Sequence, residues 1–80
     1  MQVNELIAKL VAHSGKSYNA ISAELGKSRE HVRNVATRTN APRVDTLADI
    51  ADVAGVDVAL IDRGTRSVIG RVDPPRRAGA

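Results

Sequence analysis

The sequence predicts a small, mainly α domain of four to five helices with a C-terminal β-hairpin. Three observations carry that prediction. Apolar residues recur at helical spacing in four segments before residue 55, glycines and a proline punctuate those segments, and from Val56 the pattern changes to β-branched runs around Gly64-Thr65. Eighty residues suffice for one such domain and not for two. A chain this short buries only about 60% of its unfolded surface, so its core is thin and self-association would help it.

Leu6, Ile7, Leu10 and Val11 set the stripe of a first helix over Val3 to His13, which Ser14-Gly15 ends. Ser17 is placed to cap a second helix, Tyr18 to Leu25, with Ile21 and Leu25 on its apolar side. Gly26 follows, a residue that takes positive φ without steric penalty and so permits a tight reversal. Ser28 is the expected N-cap of a third helix, Arg29 to Arg38, whose Val32, Val35 and Ala36 face inward. Pro42 disfavours helix at the residue before it, and Val44, Leu47, Ile50, Ala51 and Ala54 stripe a fourth helix that Gly55 stops. Residues 1–55 are therefore one helical unit.

Residues 56–73 read as the hairpin, with VDVALID and SVIGRV as strands and Gly64-Thr65 as a two-residue turn. Pairing through that turn sets Ile61 against Val68 and Leu60 against Ile69, with apolar residues on both faces of the ribbon. One layer of helices covers one face only. Val58, Leu60, Ile61, Val68 and Ile69 are therefore the expected dimer interface, with closure of the monomer's own core as the alternative. Residues 74–80, which follow Asp73 as PPRRAGA, lack apolar periodicity and are expected to be disordered; Arg76 and Arg77 there either touch phosphate or are simply solvated.

Net charge is +3, unevenly spread. Residues 1–43 carry seven Lys or Arg against three Glu, a balance of +4, and residues 44–80 carry five Arg against six Asp, a balance of −1. A polyanionic partner would meet the first half. There is no Cys, hence no disulfide framework and no thiolate metal site. No apolar run approaches the roughly 18 residues that cross a bilayer, and MQVNELIAKL is a charged amphipathic start unlike a signal peptide, so a soluble cytoplasmic protein without membrane association is expected.

The outward positions of the third helix are Arg29, Glu30, Arg33, Asn34, Thr37 and Arg38. Guanidinium and amide groups make paired hydrogen bonds to guanine and adenine edges in the major groove, and Arg also neutralises phosphate. An ordinary solvated face has the same composition; the preceding short helix and Gly26 give the functional reading its weight. His13 and His31 lie on different helices, and no metal-ligand or catalytic spacing links them to a carboxylate pair. Asp45, Asp49 and Asp52 have the spacing of a solvated helix face. No enzyme activity, cofactor or metal is expected.

AISAELGKSREHVRNV and PRVDTLADIADVAGVD together resemble the lambda-repressor-like, Cro-type (XRE-type) helix-turn-helix regulators, over residues 3 to 62. The resemblance implies a homodimer that reads an inverted-repeat operator in double-stranded DNA with its third helix, as a transcriptional repressor of phage or prophage type. It implies base contacts from Ser28, Arg29, Glu30, Arg33, Asn34 and Thr37. Phosphate contacts are implied from Ser17 and Tyr18, with Lys16, Lys27 and Arg38 beside them. The chain departs from the family at Tyr18, where Gln is usual, and at Ser22, where Ala is usual. Ser22 must satisfy its hydroxyl in a tight helix crossing, on a carbonyl one turn back. The rival expectation is an antitoxin-like or accessory module whose hairpin and tail bind a partner protein.

Overall fold

The structure, a computed structural model, describes residues 1–38 and 40–78. Its elements are α1 (Val3–Ser14), α2 (Tyr18–Glu24), α3 (His31–Thr37), α4 (Val44–Val53), β1 (Val58–Ile61), β2 (Val68–Val72) and a short α5 (Pro75–Ala78). The domain is mainly helical, and β1 and β2 form one antiparallel hairpin.

The core is small and sits between the first four helices. Ile7 and Val11 of α1, Ile21 of α2, Val32 and Val35 of α3, and Leu47 and Ile50 of α4 form it, with Ala48 and Ala51 also buried. Each helix thus contributes the stripe that its spacing dictates, and the stripes meet at one centre. Two residues of the expected stripes lie outside. Leu6 is exposed at the rim of its helix's apolar arc, and Val44 is exposed because it is the first residue of α4, at the end of the helix.

Local chemistry sets the boundaries. Ser17 caps α2, its Oγ accepting the Ala20 N–H at 3.0 Å. Gly15, Gly26 and Gly55 follow α1, α2 and α4 with φ of +73°, +70° and +80°, the left-handed geometry that ends a helix most easily at glycine. The third helix begins two residues later than its periodicity indicates. Residues 28–31 form a turn in which the Ser28 carbonyl accepts the His31 N–H at 3.0 Å, so Ser28 is not the N-cap of α3; Glu30 holds that position and makes no side-chain cap.

The hairpin differs from a two-residue turn. β1 and β2 are joined by a longer loop in which Asp62 does the organising: its Oδ1 accepts the N–H groups of Gly64 and Thr65 at 2.8 and 3.0 Å. Its carbonyl accepts the Arg66 N–H at 2.8 Å, with Arg66 at φ +64°. The bonds from Thr65 and Gly64 hold the Asp62 carboxyl below its ordinary pKa. Register follows the loop. Ile61 pairs with Val68 as the pattern indicates, but Leu60 pairs with Gly70, because a bulge takes Ile69 out of the ladder.

The ribbon projects. Leu60, Ile61, Val68 and Ile69 are 67, 55, 49 and 71% exposed, whereas Val58 at its base packs against the chain's own core. Val58 is half-buried and so offers less free surface than the other four residues of the expected dimer interface. The Cα radius of gyration is 12.8 Å, above the roughly 11.6 Å of a compact chain this long, as a protruding arm requires.

The expectation of disorder from residue 74 is likewise corrected over 74–78. Pro74 is buried, and α5 lies against α4, with the Arg76 N–H on Asp49 Oδ1 at 3.2 Å and its Nε 3.7 Å from Asp52 Oδ2. The aspartates of α4 supply the docking that apolar periodicity does not. Residues 79 and 80 and the Arg77 side chain lie outside the described residues.

Candidate nucleic-acid interface

A seven-residue helix such as α3 is too short to hold itself together in water, so its neighbours must fix it. They do so at both ends. At the N-terminus, Ser22 of α2 is fully buried; its hydroxyl donates to the Tyr18 carbonyl at 2.9 Å and accepts the Val32 N–H at 3.1 Å. A hydroxyl from the preceding helix thus replaces the missing local cap. At the C-terminus, Asn4 Nδ2 of α1 donates to the carbonyls of Val35 and Arg38, both at 3.0 Å, and approaches that of Asn40 at 3.4 Å. Carbonyls at the end of a helix have no intrahelical partner. Ser22 and Asn4 position the site without touching anything outside the chain. The hydroxyl's bond one turn back was readable from the sequence; its second bond, across to Val32, and the reach of Asn4 were not.

With Val32 and Val35 turned inward, Arg33, Asn34 and Thr37 are exposed on α3. Ser28, Arg29 and Glu30 are exposed too, but they stand in the turn that leads into the helix. Thr37 turns its hydroxyl back, donating to the Arg33 carbonyl at 3.0 Å. Lys16, Ser17, Lys27 and Arg38 are exposed and Tyr18 is half-buried. Lys16 is held by Glu24, with Nζ 2.9 Å from Oε2. Ser17 has its oxygen engaged by the cap of α2.

Among the described residues, Lys27, Arg29, Arg33 and Arg38 make no ion pair. Arg33 instead rests on an aromatic ring, its guanidinium carbon 5.0 Å from the centroid of Tyr18. Four uncompensated cations accompanied by Glu30 make this side electropositive.

His31 stands beside Lys27 and Arg38. It lines a cleft of about 360 Å3 with Arg38, Asn40, Pro42, Arg43 and Thr46, and an adjoining one of about 240 Å3 with Lys27, Asp45, Asp49 and Pro75. Burial lowers its pKa, Lys27 and Arg38 lower it further, and Asp49 opposes them. Among the described residues no cluster of His, Asp or Glu could hold a metal ion, and no helix is long and apolar enough to cross a membrane.

No family model, curated protein or solved structure matches this chain. What the site can do is therefore read from its own geometry. It offers planar guanidinium and amide donors on an exposed helix, flanked by cations that make no ion pair among the described residues.

Proposed function

We propose that the protein is a sequence-specific double-stranded DNA-binding transcriptional regulator of the lambda-repressor-like, Cro-type helix-turn-helix kind. In this reading it is a phage-type or prophage-type repressor that binds an inverted-repeat operator as a homodimer in the cytoplasm. The observation that carries the reading is the exposed face of α3, with Arg33 and Asn34 free of carboxylate partners among the described residues and Lys27, Arg29 and Arg38 around it. An α-helix is about 10–12 Å across with its side chains and fits a major groove about 12 Å wide. Arg33, Asn34, Thr37 and the turn residues Ser28, Arg29 and Glu30 face the base edges. Lys16, Ser17, Tyr18, Lys27 and Arg38 meet the phosphates. The reading invokes neither catalysis nor a cofactor.

Dimerisation draws its support from the projecting hairpin, whose Leu60, Ile61, Val68 and Ile69 present apolar surface that the monomer does not cover. That surface also favours the second reading, an antitoxin-like or accessory module bound to a partner protein. Sedimentation of the purified chain separates the two: a dimer at micromolar concentration supports the first, a monomer the second.

Selection from a random duplex pool tests the DNA reading itself. An enriched motif with two half-sites, their centres about 34 Å apart or a multiple of that, is the expected result. Failure to enrich any motif would refute it. Arg33→Ala and Asn34→Ala are each expected to cost about 1–3 kcal/mol on the selected site and much less on random DNA.

A further inference from the structure

Among the described residues, Arg33 is the one cation of the exposed face that lies over an aromatic ring, and it has no carboxylate partner. We infer that Tyr18 is a positioning residue that orients Arg33 to donate two parallel hydrogen bonds to the major-groove edge of a guanine. One base pair of the site then depends on a residue of α2. The inference rests on the DNA-binding reading and names the specificity determinant within that same face.

A long arginine side chain can be oriented by a carboxylate or by a ring. A carboxylate takes up to two of the five N–H donors, whereas a ring face attracts the cation through its quadrupole and leaves all five open. Arg33 makes no side-chain hydrogen bond or ion pair among the described residues, so the ring holds it while its donors stay available.

The platform is itself fixed. Tyr18 opens α2 directly after the Ser17 cap, is half-buried, and packs against the core. Its carbonyl accepts the Ser22 hydroxyl, and that hydroxyl's oxygen accepts the N–H of Val32, the neighbour of Arg33. One buried group thus ties the backbone under the ring to the backbone under the arginine. Arg29 has neither ring nor helix to steady it, which assigns the discrimination to Arg33. A phosphate also takes a guanidinium in paired bonds, but alike at every sequence, so a base preference in the selection separates the two. An oriented guanidinium plane matches an acceptor pair, and guanine alone presents two adjacent acceptors, N7 and O6, in the major groove.

The test takes full-length Tyr18→Leu, Tyr18→Phe and Arg33→Ala through the random-pool selection, each variant first shown to be folded by circular dichroism. The wild type is expected to enrich guanine at one position per half-site and Arg33→Ala to lose it. Tyr18→Leu should weaken the preference there about 2–5-fold while sparing other positions. Tyr18→Phe keeps the ring and should keep the preference, whatever it does to overall affinity. Undiminished guanine preference in Tyr18→Leu, or equal loss at every position, overturns the inference.

A second measurement needs neither DNA nor a folded leucine variant. In the free wild-type chain the Arg33 side-chain methylene resonances should be shifted upfield by the ring current. Unshifted resonances overturn the inference. A wild type that shows the shift yet enriches no motif overturns the DNA reading, and the guanine assignment with it, while the stack stands.

Discussion

Ser22→Ala removes one oxygen and should expose how α3 is held. Ser22 is fully buried, and its Oγ is the acceptor for the Val32 N–H at 3.1 Å. Val32 is the second residue of α3, where no intrahelical acceptor exists, so alanine at 22 leaves a buried donor without a partner. An orphaned donor of this kind costs about 1–3 kcal/mol, and loss of an N-cap costs about 0.5–2 kcal/mol; both figures describe the same bond and are not added. For a domain of this size each kcal/mol moves the melting temperature by about 4–8 °C, so a drop of roughly 5–20 °C is expected. Ser28→Ala is the control, because Ser28 is the cap that the spacing indicates, yet its side chain is exposed and does not cap α3. Its effect should stay within about 0.5 kcal/mol. Thermal unfolding followed by circular dichroism measures both. A Ser22→Ala chain within about 0.5 kcal/mol of wild type, or a Ser28→Ala chain that loses more, would refute the capping argument.

Three further outcomes are expected. Because burial and the neighbouring cations depress the His31 pKa, the unfolded chain protonates first as pH falls, and folded stability declines from about pH 7 through 6.5 toward the folded value. His31→Gln should remove that part of the decline, and denaturant titrations of both chains with identical pH dependence would exclude it. Leu60→Asp should raise the dimer dissociation constant. Burying the 67% of Leu60 that is exposed is worth about 1–2 kcal/mol per copy, so two copies give roughly 30-fold or more in sedimentation equilibrium, and an unchanged constant would remove the hairpin from the interface. Lys27→Ala should weaken specific and random DNA alike and reduce the slope of log affinity against log salt by about one per chain; an unaltered slope would take Lys27 away from the phosphates.

The first four helices were legible because a period of 3.6 and a glycine stop are local signals, and Ile7, Val11, Ile21, Val32, Val35, Leu47 and Ile50 all fell where the stripes put them. What was hidden depends on contacts between distant residues. The late start of α3 follows from a cap supplied ten residues upstream by Ser22, and the end of α3 from an amide 31 residues upstream at Asn4. The loop of the hairpin misled because Gly64-Thr65 is a good two-residue turn, yet the Asp62 carboxylate captures two amides and stabilises a wider one. The docking of residues 74–78 was invisible to an apolar pattern, since polar contacts to Asp49 and Asp52 and one buried proline provide it. The same division runs through the site. Exposure of Arg33 and Asn34 follows from the inward valines, whereas the stacking of Arg33 on Tyr18 needed the crossing of two helices.

Charge placement links the fold to the proposed role. Of the four ion pairs among the described residues, three neutralise aspartates of α4 and of the segment at the hairpin's base: Arg43 with Asp45, Arg76 with Asp52, and Arg71 with Asp57. Those carboxylates are thereby prevented from repelling a polyanion, and the cations that do so come from outside the α2–α3 face. On that face the arrangement is the reverse, with Lys27, Arg29, Arg33 and Arg38 making no ion pair among the described residues, and Lys27 and Arg38 add to the burial that lowers the His31 pKa while Asp49 opposes them. Stability alone favours mixing the two signs, because clustered like charges raise the free energy of the compact state. In the proposed role, the bases clustered on that face cost the free chain stability that a bound polyanion would restore. Replacing Lys27 should therefore reduce DNA affinity without reducing stability, the opposite of replacing Ser22, whose loss must unsettle α3 before any ligand arrives.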